Sequence, residues 1–151
     1  MWGRLVSALA ARSASPLAET PASDHSESLA LGALLVRIAR ADGDYSNEEA
    51  ACIDRLLVAR YGLGPFEAAA RRRDAEALEA AAADTVRFTR ALKETVPHED
   101  RLAVIEALWH IALADGGRDA AEDSVLRLAA NLLGISDRDS ALARQRVAKG
   151  L

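Results

Sequence analysis

Cysteine is all but missing from this 151-residue chain: Cys52 stands alone, so no intrachain disulfide can form and no second thiol joins it in a metal site or redox pair. A reducing, cytoplasmic setting is therefore expected. Aromatic residues are scarce at 4%, while 50% of the residues are hydrophobic and many of these are alanine, so the core must be small-residue and aliphatic. Such a composition favours closely packed helices. No apolar run approaches the roughly 20 residues that a membrane-spanning helix needs. Basic residues are outnumbered as well, with a net charge of −4, which argues against a phosphate-binding surface and against nucleic acid as a partner.

Helical periodicity is what the sequence has in abundance. Trp2, Leu5, Val6 and Leu9 share one face of a short amphipathic helix, which docks on the protein's own body or makes a peripheral membrane or partner contact. Residues 13–28, rich in Ser and Ala and containing Pro16 and Pro21, have no period and read as a flexible tether. The division is thus a segment 1–28 and a helical domain 29–151. In the latter, Leu31, Leu34, Leu35 and Ile38 form one apolar stripe and Ile53, Leu56 and Leu57 the next. Breaks at Asp42-Gly43, Gly62 to Pro65, Asp84, Pro97, Asp115 to Gly117 and Gly134 predict an all-α bundle of about seven helices. Apolar residues wrap most of the helix after Pro97, leaving a polar strip through Glu106 and His110, and this predicts the most buried helix of the bundle.

The chain also repeats itself. Leu35 to Gly43 can be laid over Leu108 to Gly116 at a shift of 73, which puts Glu49 on Glu122 and Ile53 on Leu126. Tyr61-Gly62-Leu63 matches Leu133-Gly134-Ile135 when one residue is dropped. Two copies are too few for a stacked solenoid, so two pseudo-symmetric halves of one closed bundle are expected. Each half turns at an Ala-Asp-Gly corner. Ser46 with Glu49, and Asp119 with Glu122, have the spacing of a capping box, in which side-chain oxygens accept otherwise unpaired amides at a helix start. Asp42 and Asp115 gain by reaching the start of the following helix, because an acid at a helix C-terminus opposes the dipole.

A second chemistry fits the same residues. Asp42, Asp44, Ser46, Glu48 and Glu49 place many oxygens in eight residues with no basic side chain among them, the ligand type that calcium and magnesium take. The spacing is not that of an EF-hand: counted from Asp42, Asn47 stands where that loop needs glycine and Ile53 where it needs its bidentate acid. In the second copy Gly117 replaces Asp44 and Arg118 adds positive charge. Spacing alone favours capping over metal binding.

The paired Ala41-Asp42-Gly43 and Ala114-Asp115-Gly116 corners, each with a glutamate downstream, resemble those of the TerB-like tellurite-resistance family. That fold also occurs in the N-terminal domain of the membrane-anchored co-chaperone DjlA. The resemblance runs from about Leu29 to Val147 and implies a compact bundle of about seven helices with an acidic surface for a divalent cation, calcium or similar, in a bacterial stress system. Carried over residue by residue, the implied metal ligands are Asp42, Asp44 and Glu49 in the first half and Asp115 and Glu122 in the second. The implied location is the cytoplasm or the periphery of the inner membrane. This chain carries no J domain, so co-chaperone activity is not inherited.

No catalytic residue is expected. Cys52 lies among Ala50, Ala51, Ile53 and Leu56 and reads as a packed thiol; His98 sits with Glu99 and Asp100 as solvated charge; His110 has no second histidine at ligand spacing. Arg71, Arg72 and Arg73, followed by Asp74, Glu76 and Glu79, read as a solvated, self-paired face. The expectation is a non-enzymatic, metal-binding stress protein with a protein partner. The alternative is a metal-free helical interaction module.

Overall fold

Left-handed glycines follow three helices of this chain, and Ser46 and Pro65 begin two of them. In the computed structural model, which describes residues 22–41, 43–114 and 120–150, the described residues form seven α-helices. They are α1 (Ala22–Arg40), α2 (Asn47–Tyr61), α3 (Pro65–Ala81), α4 (Val86–Thr95), α5 (Arg101–Ala112), α6 (Ala120–Leu132) and α7 (Asp137–Gly150). No strand occurs among the described residues. Gly62 ends α2 at φ 65° with its amide on the Val58 carbonyl, and Gly134 takes the equivalent place after α6 at φ 77°. Pro65 opens α3, where the missing amide has no intrahelical partner to lose. Pro97 opens a single 3-10 turn, His98–Asp100, rather than α5 itself.

The two halves predicted from the repeat are α1–α3 and α5–α7, with α4 between them. Exchanging α1 with α5, α2 with α6 and α3 with α7 maps the packing among these six helices onto itself, α4 aside: α1 on α2 matches α5 on α6, α1 on α3 matches α5 on α7, and α2 on α3 matches α6 on α7. Across the centre, α1 on α6 matches α2 on α5, and α1 meets its own counterpart α5. Burial follows the same correspondence. Leu35, Val36, Ile38 and Ala39 are buried, as are Leu108, Trp109, Ile111 and Ala112; Ile53 and Leu126 are likewise enclosed. The third helices agree too, with an offset of 72: α3 buries Ala68, Arg71 and Ala75 where α7 buries Ser140, Ala143 and Val147.

Two helices, not one, are central. The helix α5 buries Val104, Ile105, Ala107, Leu108, Trp109, Ile111 and Ala112, as its composition predicts, and keeps Glu106 and His110 on a partly exposed strip. Its counterpart α1 is at least as enclosed, since it packs on α2, α3, α4, α5 and α6. A glycine permits the tightest of these contacts: a Cβ at Gly32 would lie 2.9 Å from the Ala75 Cβ.

Two expectations are corrected. The first helix starts at Ala22, inside the stretch read as a tether, because its polar residues have distant partners: Glu27 receives Arg60 Nε at 2.9 Å and the Tyr61 hydroxyl, and Ser28 accepts from Arg71. For the same reason Arg71 is buried rather than part of a solvated face. Of that basic run, Arg73 alone is exposed. The amphipathic segment at Trp2 to Leu9 lies outside the described residues.

Candidate functional site at the acidic corner

The first corner is built by the chain reversing over four residues. The Ala41 amide donates to the Ile38 carbonyl (3.2 Å) and the Gly43 amide to the Arg40 carbonyl (2.9 Å), with Gly43 at φ 85°. Asp44 and Tyr45 then lead to Ser46, the N-cap of α2. The predicted capping box is formed. The Glu49 amide donates to Ser46 Oγ at 3.1 Å, and the Ser46 amide donates to Glu49 Oε1 at 2.9 Å. Glu49 is accordingly buried, at 3% exposure, with its charge next to the amides of the helix start.

A web of charged groups behind the corner fixes its position. The Tyr45 hydroxyl donates to Glu76 Oε2 at 2.6 Å; Arg72 donates from Nη1 to the same oxygen at 3.0 Å and from Nε to Asp54 Oδ1 at 2.6 Å. Arg37 and Arg40 at the end of α1 grip Glu79 at 3.0 and 2.6 Å, and Arg37 also donates to the Glu79 and Ala82 carbonyls, capping the end of α3. Burial pushes Tyr45 well above its ordinary range, reinforced by the bond to Glu76 and its charge. For Glu76 itself, burial pushes upward, but the bonds from Tyr45 and Arg72 and the Arg72 and Arg40 charges outweigh it and hold the carboxyl below its ordinary value. The corner therefore sits on a rigid, paired frame.

In front of the corner lies a pocket of about 320 Å³, lined by Asp44, Ser46, Glu48, Glu49, Cys52, Arg55 and Ala114. Ala114, just past the end of α5 and the residue before Asp115 in sequence, lines the same pocket. Asp44 and Glu49 of the predicted ligand set meet in this pocket. Asp42 and Asp115 lie outside the described residues, and Glu122 falls in the first turn of α6 with its side chain likewise outside them. Among the described residues, no three His, Cys, Asp or Glu side chains form a group that could hold a metal ion. What the described part supplies is oxygen on one wall and a guanidinium, Arg55, on another.

One thiol, Cys52, lines this pocket. Burial pushes Cys52 above its ordinary range; Arg55 pulls it back and Glu49 adds to the rise. Arg55 and the Tyr45–Glu76–Arg72 web are functional neighbours that the linear motif does not reveal. A signal for Arg55 exists all the same, since Glu48, Cys52 and Arg55 stand at i, i+4 and i+7 and share a face of α2. Of the web, only the Arg72–Glu76 pair, at i and i+4 on α3, has one, because Tyr45 comes from the corner and Asp54 from α2.

A bundle of seven described helices in two related halves, with the first acidic corner and Ala114 lining one pocket, defines a small all-helical repeat domain. Its family is more particular: residues 28–145 match the model of "Tellurite resistance protein TerB", and the chain belongs to that family. No match was found among curated proteins or among solved structures. No helix among the described residues is long and apolar enough to cross a membrane.

Proposed function

We propose that this TerB-family chain is a non-catalytic, stress-associated protein that binds a divalent cation, calcium or a similar hard ion, at its paired corners. The supporting observation is that Asp44, Glu48 and Glu49 line one pocket with Ala114, the residue before Asp115 in sequence. Hard cations take six to eight oxygens, a shell that carboxylates drawn from both corners, with water, would fill. On this reading Asp42, Asp44 and Glu49 supply the stronger share, Asp115 and Glu122 complete the shell, and the paired frame behind Tyr45 keeps the ligands in place. Cytoplasmic work, at the inner membrane's edge or away from it, and a protein partner that senses the loaded state belong to the same proposal.

Calorimetry of the full chain with the chlorides of calcium, magnesium and manganese tests it. Saturable heat is expected from the wild type with at least one ion, weakened about tenfold or more by Asp44→Asn and by the double variant Asp42→Asn with Asp115→Asn. A folded wild type that gives no saturable heat with any of the three overturns the reading. The capping box favours a second reading, because it gives Ser46 and Glu49 a structural purpose without an ion. Under it the domain is a metal-free helical interaction module, and the same experiment returns no heat.

A further inference from the structure

The pseudo-symmetry of the bundle identifies one residue whose counterpart has lost its partners. In the first half, Arg72 on α3 is held by two carboxylates, Asp54 from α2 and Glu76 from its own helix. Its counterpart on α7, at the offset of 72 set by the buried faces, is Arg144. The residue corresponding to Asp54, at the shift of 73 that aligns Ile53 with Leu126, is Arg127, and the residue corresponding to Glu76 is Ala148. Both acids are gone, and one has become a second guanidinium.

The surroundings match this loss. Arg144 stacks its guanidinium 5.8 Å over the Trp109 ring, and its Nε is buried with no hydrogen-bond partner among the described residues. That is the state Arg72 would have if Asp54 were removed. A desolvated guanidinium donor without an acceptor is unfavourable, and the acceptor that matches its fork is a carboxylate. Beside it opens a pocket of about 290 Å³ lined by Trp109, Leu126, Arg127, Asp137, Ser140 and Arg144. Among the described residues, its lining holds one acid, Asp137, and two arginines. Ser140 is occupied as the acceptor of the Trp109 indole N–H at 3.1 Å, which fixes the ring as one wall.

We infer that this α5–α6–α7 pocket binds a carboxylate, whose charged group takes the place that Asp54 has in the first half and whose apolar body lies against Trp109 and Leu126. The size suits a small organic acid or a single acidic side chain of a peptide, and the two share the recognising chemistry. The pocket is built from other residues than the corner, so it stands independently of cation binding.

The full chain labelled with 15N tests this through the indole N–H resonance of Trp109, assigned with Trp2→Phe, during titration with benzoate and, separately, with an N-acetylated, C-amidated glutamate peptide. Saturable movement of that resonance is expected with at least one probe; benzoate alone points to a free acid, the peptide alone to a protein partner. Benzamide, which has the same shape without the charge, is expected to leave the resonance in place. Arg144→Gln weakens binding about tenfold or more. Arg127→Asp supplies the missing internal carboxylate, so it abolishes binding and raises the melting temperature. Movement with benzamide equal to that with benzoate, undiminished binding in a folded Arg127→Asp chain, or no movement with either acid overturns the inference.

Discussion

Among the described residues, the first half of this bundle is stitched by charge, whereas the second keeps the same backbone plan with fewer charge pairs. In α1–α3, Arg37, Arg40, Asp54, Arg72, Glu76 and Glu79 form one connected web, joined by Tyr45 from the corner. Between α5 and α7, the described side-chain bonds include Trp109 to Ser140 and a more exposed pair, Arg146 with Glu106. The contact faces differ too: Gly32 meets Ala75 in the first half, and Ile105 and Val147 stand at the corresponding positions in the second. Two halves can thus share a fold with different interior chemistry, because the fold asks only that matching positions be buried and the helix stops be kept. What each half does with its polar groups is then free to diverge, and here one half pairs them internally while the other leaves a pocket.

The strongest way to break the comparison is in the core. Leu35 and Leu108 occupy matching, fully buried places. Leu35→Ala and Leu108→Ala should each destabilise the chain by about 2–5 kcal/mol in urea unfolding. If one of them costs under about 1 kcal/mol, the burial equivalence of the two central helices fails.

Acid separates the halves next. Glu76 has a folded-state value below the ordinary 4.5, so its stabilisation is complete above that value and is lost as pH falls through the depressed one. Glu76→Gln removes this dependence. Between pH 6 and pH 3 the wild type should lose about 1 kcal/mol more stability than Glu76→Gln, read from melting curves. Parallel curves would show that the web contributes no more than a surface ion pair.

The smallest effect sharpens the corner itself. Ser46→Ala removes the cap on α2 and should cost about 1 kcal/mol. The capping reading requires that loss to be equal with and without calcium; a loss that calcium restores would tie Ser46 to the ion.

Much of the architecture was legible in the chain because helices signal through periodicity and through their ends. Leu31, Leu34, Leu35 and Ile38 mark the buried face of α1, and Gly62, Pro65 and Gly134 mark real boundaries. The capping box at Ser46 and Glu49 was legible for the same reason, its two members being three residues apart. The equivalence of α3 and α7 was not. Their buried faces are Ala68, Arg71 and Ala75 against Ser140, Ala143 and Val147, small or polar side chains that carry little hydrophobic pattern. Arg71 misled the reading because a run of three arginines describes a solvated face unless a partner 43 residues away takes one of them inside.

Composition and spacing by themselves determined that the chain is helical, where it turns, and that it contains two related halves, since each of these is set within a few residues along the backbone. Only the tertiary structure decided which charges became partners, that Ala114 lines the first corner's pocket, and that Arg144 shares a pocket with Arg127 where Arg72 pairs with Asp54. Those outcomes depend on groups from different helices arriving within hydrogen-bond distance, and helix packing, rather than local sequence, controls that distance.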